Sequence, residues 1–376
     1  MSNNKTPLYE KIFNHYKEKI LSGELEVGNR LPSENAIAQT FSVSRITVSR
    51  AFKELERAKL IRRVKGSGSY VKNMHQGSTK DSNHDFISLI LPSKGDFSSE
   101  ILKGIEEVAM QNDYFVTYHN SSESPELEKE LVLEIMSRGS AGFIAYPVEP
   151  KANMDLYSKL LISGYPFVVI DRKIQGLDTS LVWTDNQKGT YDMTSHLLKT
   201  GHTRIIFLGY SVFEISSETE RYRGFCKAHI DHGVPLLHRN LYGTEKDTRS
   251  IPADYMPGAV FGIRACNYLF DLLETISLAE RPTAIVAVND YIASILVSAA
   301  IERDISIPAD YSITGFDDLP YAAHLPVPLT TVAQPARQIG RLAASELFIK
   351  INNPGCEPKE YIVEAEIVVR KSTASI

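Results

Sequence analysis

Hydrophobic residues recur with two different periods along the chain. Near the N-terminus, Leu8, Ile12, Tyr16 and Ile20 recur every four residues, which predicts an amphipathic helix ending near Gly23. After residue 85, short continuous apolar runs alternate with segments of helical period. These runs are ISLILP (87–92), GFIAYP (142–147), PFVVID (166–171), RIIFLG (204–209), TAIVAV (283–288) and YSITGF (311–316). Such runs indicate strands buried on both faces, so the pattern predicts an α/β fold of βαβ units with parallel sheets.

A stretch of small and polar residues interrupts this pattern. Its sequence, NMHQGSTKDSNHD, has no apolar periodicity and is typical of a flexible linker. We therefore predict an N-terminal domain over residues 1–72, a linker over 73–85 and a larger domain over 86–376. The larger domain exceeds what a single sheet organises, and two doubly wound lobes facing across a cleft would fit its length.

Charge is distributed unevenly between the two predicted domains. The whole chain has a formal net charge of −5. Residues 1–72 hold 14 Lys and Arg against 7 Asp and Glu, a balance of +7, whereas the remainder holds 27 against 39, a balance of −12. The basic end is therefore the candidate for a polyanionic partner such as a nucleic acid.

Composition and the start of the chain narrow the class of protein. Hydrophobic residues make up 43% and charged residues 23% of the chain, as in an ordinary soluble globular protein. The start, MSNNKTPLYEK, has no basic segment followed by an apolar run and a cleavage site, so we expect no signal peptide. No apolar run reaches the roughly 18 to 20 residues that a membrane span needs. Cys226, Cys266 and Cys356 are too few and too far apart for a disulfide framework or a metal site. We expect a cytoplasmic protein with no metal, no cofactor and no membrane partner.

Two helices joined by a tight turn are predicted within the basic domain. In RLPSENAIAQTF, Ser33 can cap a helix by accepting a backbone N–H, and the apolar residues that follow form its inner face. After the turn SVS, Ser44 can cap a further helix, RITVSRAFKELERA. The inward positions of this further helix are Val48, Ala51, Phe52 and Leu55.

Basic and polar residues occupy the exposed side of that further helix. Arg45 and Thr47 lie in its first turn, and Arg50 points away from the inward face. A helix N-terminus of this kind enters the major groove, where Arg binds guanine and Thr contacts a thymine methyl or a phosphate. The alternative is a pair of arginines that only solvates an exposed helix. The two-helix context favours DNA binding.

A hairpin is predicted directly after these helices. LIRRVKGSGSYV offers two short strands around Lys65, Gly66, Ser67 and Gly68. The glycines permit positive φ in a tight turn. With Lys65 at its tip, the hairpin forms a wing that can lie against phosphate or reach into a minor groove.

Residues 7–72 resemble the GntR-family DNA-binding domain. The resemblance is carried by PLYEKI, by LPSE before the second helix, by SRITVSRAFKEL and by the wing sequence. Many members carry a basic residue after LPSE, whereas this chain has Asn35, so the family's operator sequences do not carry over. With Lys65 added from the wing, the implied DNA-proximal positions are Ser33, Glu34, Arg45, Thr47, Ser49, Arg50, Lys65, Gly66, Ser67 and Gly68.

Polar residues stand near the ends of predicted strands in the larger domain. Asp171 ends VVID, Arg221 lies just before a helical segment, Asn289 follows VAV and Asp317 follows ITGF. Such positions open into the crevice where ligands bind in doubly wound folds. Arg, Asp and Asn supply the donors and acceptors that a sugar requires, and an aromatic side chain such as Phe97 could cover its apolar face. The alternative for each residue alone is a helix cap or a turn.

Residues 86–372 resemble the ligand-binding domain of LacI/GalR-type repressors, a fold shared with periplasmic sugar-binding proteins. The matching strings are RGFC preceded by Arg221, PTAIVAVND, IPADYSITGFDD, PLTTVAQP, IGRLAASELF and VVRKST. The resemblance implies dimerisation through this domain and ligand contacts from Arg221, Asn289 and Asp317. It also implies that four further residues lie near the ligand: Asp171, Gln334, Phe97 and Ser98.

The combination of these two modules is similar to arabinose-operon repressors. We therefore expect a homodimeric repressor that binds a palindromic operator and is released by a small sugar such as L-arabinose. The loop GTEKDTRSIPADYMP (243–257) matches no pattern. An activator and a regulator with a purine or sugar phosphate as effector remain alternatives. A transport binding protein would fit the larger domain alone, but the DNA-binding module and the expected absence of a signal peptide disfavour it. An enzyme is disfavoured because the chain has no P-loop, GxSxG or HExxH motif.

Overall fold

The structure is a computed structural model that describes most of the chain. The described residues are 7–22, 24–26, 28–58, 60–64, 68–71, 86–209, 212, 215–237, 240–243, 249–252 and 262–376. They form a small helical unit with a hairpin and two α/β lobes. The predicted linker over 73–85 and most of the loop 243–257 lie outside the described residues.

The N-terminal unit consists of three helices and one antiparallel hairpin. Its elements are α1 (Leu8–Leu21), α2 (Glu34–Thr40), α3 (Arg45–Arg57), β1 (Ile61–Val64) and β2 (Gly68–Val71). All four predicted inward residues of α3 are buried, and so are Ile12, Tyr16 and Ile20 of α1. Leu8 is 55% exposed, so the period-four pattern overstates the buried face of α1 by one turn.

Hydroxyl caps set the starts of α2 and α3. The Ser33 side chain accepts a hydrogen bond of 3.2 Å from the backbone N–H of Ala36. The Ser44 side chain accepts one of 3.3 Å from the N–H of Thr47. Each cap satisfies a backbone donor that the helix itself leaves without a partner, and both were predicted from the sequence.

The first lobe is a six-stranded parallel sheet with helices on both faces. The strand order is β14-β7-β6-β5-β3-β4. The strands are β3 (Phe86–Leu91), β4 (Phe115–Asn120), β5 (Phe143–Ala145), β6 (Phe167–Ile170), β7 (Leu181–Thr184) and β14 (Glu360–Val363). The helices are α4 (Asp96–Gln111), α5 (Pro125–Ser137), α6 (Met154–Ile162) and α11 (Ala336–Asn352).

The second lobe repeats this plan with a five-stranded parallel sheet in the order β10-β9-β8-β11-β12. The strands are β8 (Ile205–Leu208), β9 (Leu241–Gly243), β10 (Arg249–Ser250), β11 (Ala284–Ala287) and β12 (Ser312–Thr314). The helices are α7 (Asn186–Lys199), α8 (Ser216–Asp231), α9 (Ile263–Glu274) and α10 (Asp290–Glu302), followed by a 3₁₀ helix (Pro320–His324). The predicted α/β class with parallel sheets in two lobes is confirmed.

Within the described residues, the chain passes between the lobes at three places. It leaves the first lobe after β7 and returns through β13 (Thr331–Ala333) to α11. After β14 it crosses again through β15 (Glu366–Val368), and the Ser372 hydroxyl then donates 2.6 Å to the carbonyl of Ile313 on β12. The crossing strands β13 and β15 pair with each other in antiparallel fashion. They form the hinge between the lobes.

Pairs of helices pack closely through glycine in each lobe. A Cβ on Gly104 of α4 would clash with the carbonyl oxygen of Arg337 on α11. A Cβ on Gly224 of α8 would clash in the same way with the carbonyl oxygen of Gln187 on α7. Because the obstacle is backbone, no side-chain rotation relieves it. These glycines therefore fix the spacing of the helix pairs.

Among the described residues, no helix has the length and apolar character needed to span a bilayer.

We predict that Gly224→Ala lowers the free energy of unfolding of the larger domain by about 1–3 kcal/mol, because overpacking forces α7 and α8 apart. Gly95→Ala is the matched control, since the Gly95 backbone is extended and no atom lies within 4 Å of an added Cβ. Its unfolding free energy should stay within about 0.5 kcal/mol of the wild type. Denaturant unfolding followed by circular dichroism measures both, and equal stability of the two variants would contradict this packing interpretation.

Candidate functional site

The first turn of α3 is highly exposed. The Arg45 side chain is 73% exposed, and Ile46 is 82% exposed although it is apolar. Thr47 is half-buried, and its hydroxyl lies 2.9 Å from the Ser44 hydroxyl. This turn presents an arginine, an aliphatic side chain and a hydroxyl together, which suits contacts to base edges and phosphate.

Glu34 holds two arginines beside this turn. Its Oε2 lies 3.4 Å from Nε of Arg45, and its Oε1 accepts a hydrogen bond from Nη2 of Arg63 on β1. A carboxylate only accepts hydrogen bonds, so Glu34 orients donors. The sequence singled out Glu34 as DNA-proximal, but it missed Arg63, because only the fold brings the hairpin beside α2.

Arg50 stacks on an aromatic ring. Its guanidinium carbon lies 3.8 Å from the centroid of the Tyr9 ring on α1. Such a cation–π contact holds the planar fork in one orientation while the rest of the side chain stays exposed. Ser49, one position earlier, is half-buried, and Ser33 is exposed and engaged as the cap of α2.

The wing is described only in part. Lys65, Gly66 and Ser67 lie outside the described residues. Gly68 has φ +129°, and a Cβ there would meet Nε of Arg30 at 2.8 Å. The backbone conformation therefore disfavours a larger residue, and an added Cβ would also displace the Arg30 side chain. Arg30, which the sequence did not single out, thus joins Arg45, Arg50 and Arg63 in the basic surface around α3.

Arg221 is the central donor of the cleft between the lobes. The sequence placed it before a helix, whereas it lies inside α8, which begins at Ser216, and it is only 6% exposed. Its Nε donates 2.8 Å to Oδ1 of Asn186, and its Nη1 donates 2.7 Å to the carbonyl of Val288. The guanidinium lies flat over the Phe316 ring at 3.8 Å. The fork is therefore fixed in position and orientation.

Asp317 faces this fork from the end of the second sheet. Its Oδ1 lies 3.8 Å from Nη2 of Arg221 and accepts 2.6 Å from the amide of Gln334. Gln334 in turn accepts from the hydroxyl of Thr184 at the end of β7. Burial raises the pKa of the Asp317 carboxyl to about 7, against the opposing effect of Arg221. This series of hydrogen bonds, from Asp317 through Gln334 to Thr184, joins both lobes at the hinge.

Asp171 lies at the cleft end of β6 with φ +62° and is 2% exposed. The Ser217 hydroxyl donates 3.2 Å to its Oδ2. Burial first, and Asp171 second, raise the pKa of the Tyr146 phenol. The Arg172 guanidinium lies 5.0 Å from the Tyr146 ring and donates to two backbone carbonyls. These groups line the first-lobe side of the cleft.

Asn289, Phe97 and Ser98 were predicted to contact the ligand, and the structure shows mainly local contacts for them. Asn289 caps α10, since its Oδ1 accepts 2.9 Å from the N–H of Ile292. Among the described residues its side-chain amide has no acceptor, so its donors remain available. The Ser98 hydroxyl donates 2.9 Å to the carbonyl of Ser93, and Phe97 packs partly into the first-lobe core. Neither makes a described contact to Arg221.

The sequence missed Asn186, whereas Asp290 was noted beside Asn289 at the end of a predicted strand. Asn186 follows β7 and orients Arg221, and its place after a strand was a usable signal. Asp290 is fully buried, and burial raises the pKa of its carboxyl to about 6. It accepts from Thr331 on β13 and from the N–H of Leu319. Only the fold shows that Asp290 ties α10 to a crossing strand. The described residues contain no cluster of three or more His, Cys, Asp or Glu suited to a metal ion.

Comparison with known protein families assigns both parts of the chain. Residues 8–71 match the bacterial regulatory proteins of the gntR family. Residues 84–253 match the periplasmic binding proteins and sugar binding domain of the LacI family, and residues 194–373 match a periplasmic binding protein-like domain. Over 381 residues the chain is 30% identical to the arabinose metabolism transcriptional repressor of Geobacillus stearothermophilus, covering 98% of each chain. The chain belongs to the GntR–LacI hybrid family of transcriptional repressors.

Further relatives agree with this assignment. The repressor is 29% identical to the arabinose metabolism transcriptional repressor of Halalkalibacterium halodurans, covering 97% of this chain and 96% of that protein. A LacI family transcriptional regulator from Enterococcus faecium with bound ribose is 27% identical with a TM-score of 0.62, covering 78% and 100% of the two chains. CcpA of Lactococcus lactis has a TM-score of 0.66 at 20% identity, covers 77% and 100%, and shows the fold alone.

The family excludes two of the alternatives that the sequence left open. The matched families and relatives are regulators of transcription, so the repressor is neither an enzyme nor a transport binding protein. The prediction that a GntR-type domain is joined to a LacI-type domain is confirmed.

We predict that Arg45→Ala weakens specific DNA binding by about 1–3 kcal/mol, because one arginine contact to a base edge contributes this much. Arg57→Ala is the control, because Arg57 is 80% exposed at the opposite end of α3. Fluorescence anisotropy measures both variants on a duplex that the wild-type repressor has selected from a random library. Equal losses in the two variants would show that α3 contributes only general positive charge.

Proposed function

We propose that the repressor holds its operator in the absence of effector and releases it when a free sugar, with L-arabinose as first candidate, occupies the cleft. The names of two relatives aligned over nearly the whole chain support arabinose. The ribose-bound regulator, at 27% identity, supports a free sugar as the class of effector.

The observation that carries this proposal is the fixed fork of Arg221 opposite Asp317. A guanidinium has five N–H donors, and two are used by Asn186 and Val288. Its Nη2 faces Oδ1 of Asp317 across 3.8 Å, and the other carboxyl oxygen of Asp317 is a further acceptor beside it. Neighbouring sugar hydroxyls both donate and accept, so a vicinal diol matches this pair of groups.

Ligand binding at this place acts on the hinge. Asp317, Gln334 and Thr184 join the two lobes, so a sugar that contacts Asp317 binds different lobe arrangements with different affinity. We propose that residues 73–85 form a linker between the DNA-binding domain (1–72) and the effector domain (86–376). Closure then changes how two DNA-binding domains match their half-sites, through a shift in population.

We further propose that the repressor is a homodimer on a palindromic operator. The edge of the first-lobe sheet supports this assembly. β4 is the last strand in the sheet order, and Phe115 at its start is 58% exposed. Met110, near the end of α4, is 77% exposed. An edge strand can pair with a second copy along its outer side, and the exposed Phe115 and Met110 side chains would add apolar contact.

For the effector, we predict that Arg221→Ala keeps operator binding but loses the response to sugar. Arg223→Ala is the matched control, since Arg223 lies on the same helix with a 62% exposed side chain paired to Glu220. Thermal shift against free sugars, sugar phosphates and purines identifies the ligand, because binding to the folded state raises Tm. Anisotropy on operator DNA then reports release. Asp317→Asn gives a second, smaller change at the same site in case Arg221→Ala folds poorly.

A pentose that raises Tm and releases operator in the wild type and in Arg223→Ala, but not in Arg221→Ala, is the expected result. A Tm shift with purines or sugar phosphates alone would overturn the class of effector and leave the repressor assignment intact. Tighter operator binding with sugar would reverse the proposed polarity.

For the assembly, we predict that Phe115→Asp shifts the repressor from dimer to monomer by at least about tenfold in dissociation constant, because it buries a charge at the interface. Ile162→Asp is the control, as Ile162 is 86% exposed on α6. Sedimentation equilibrium measures both. A wild-type monomer, or a dimer that tolerates the aspartate, would rule out this edge as the interface.

A further inference from the structure

A second cavity of about 340 Å³ lies beside α7. It shares no lining residue with the Arg221 constellation. One wall is Ile367, on the crossing strand β15. The other lining residues come from α7 and from the end of α8, and they are Tyr191, Asp192, Ser195, His196, Lys199 and His232.

Basic groups converge on this cavity without acidic partners. Among the described residues Lys199 makes no ion pair, and it is exposed. His196 lies one turn before it on α7 and is half-buried, and His232 caps the end of α8. Burial first, and the positive charge of Lys199 second, lower the pKa of His196. The lowered pKa leaves the His196 ring neutral at neutral pH, so His196 offers an N–H donor and Lys199 supplies the positive charge that no described acidic group pairs with.

The carboxylates nearby are already engaged. Asp192, which lines the cavity, pairs with Lys188 at 2.6 Å. Asp231, next to His232, pairs with Lys227 at 2.6 Å and also accepts from Tyr191. Because both carboxylates are neutralised by other lysines, they leave Lys199 and the two histidines available to an anion.

Ser195 provides a second, independent observation. It lines the cavity, is only 5% exposed, and its hydroxyl has no hydrogen-bond partner among the described residues. A buried hydroxyl without a partner is destabilising, and such groups in folded proteins usually mark a bound water or ligand. An anion oxygen in the cavity would give this hydroxyl its acceptor.

We propose that this cavity binds the phosphate group of a small phosphate monoester. A phosphate monoester has three acceptor oxygens and a charge of about −1.5 to −2, which match Lys199, His196 and Ser195 as donors. Ile367 and the Tyr191 ring supply an apolar wall for the carbon part of the ligand. This second site goes beyond the sugar cleft, because it would bind the phosphate group and not the sugar hydroxyls.

The test uses glycerol 3-phosphate as probe and glycerol as its uncharged match. Full-length repressor carrying ¹³C at histidine Cε1 is titrated in phosphate-free buffer, with His196→Gln and His232→Gln assigning the two resonances. We expect glycerol 3-phosphate to shift both resonances saturably and glycerol to shift neither. Lys199→Gln should weaken the Kd about tenfold, through loss of a charge-assisted contact.

A control variant separates this site from others. Lys173→Gln removes a lysine that is paired to Glu360 on the first lobe, and it should keep the wild-type Kd. Unshifted histidines, the same Kd in Lys199→Gln, or an equal loss of affinity in Lys173→Gln would each overturn the proposal. Melting curves confirm that Lys199→Gln, an exposed substitution, remains folded.

Discussion

The buried guanidinium of Arg221 organises the cleft. Taking such a charge out of water costs several kcal/mol unless partners replace its hydration. Asn186 and the carbonyl of Val288 replace part of it, the Phe316 ring covers one face, and Asp317 supplies the opposing charge at 3.8 Å. These partners come from different elements of the fold. The lobes must therefore hold one specific arrangement to keep these contacts to the buried Arg221 guanidinium.

The same requirement couples the cleft to the hinge. Asp317 shares its carboxylate with Gln334, and Gln334 reaches Thr184 at the end of β7. Asp290 performs a parallel role, because it accepts from Thr331 on a crossing strand. Burial raises the pKa of both carboxyls, to about 7 and about 6. A ligand that offers hydroxyls to Asp317 therefore changes the balance of interactions at the segments about which the lobes move.

The N-terminal unit uses its charges differently. Its arginines lie at the surface, and each is oriented by one neighbour: Arg45 and Arg63 by Glu34, and Arg50 by the Tyr9 ring. Exposed pairs of this kind contribute little to stability, which the buried apolar faces of α1 and α3 supply. The charged groups are thus free to exchange these neighbours for phosphate and bases, while the helices that carry them stay in place.

The sequence by itself determined the elements, the class of fold and the type of regulator. Period-four and continuous apolar runs and the caps Ser33 and Ser44 are local signals that read directly as structure. Arg221, Asp317 and Gln334 were found by their place in motifs. Asn186, Tyr146, Arg30 and the Ser195 cavity were not, because their roles arise from contacts between residues far apart along the chain. Only the tertiary structure decides which buried polar groups meet, since each is stable only beside its partners.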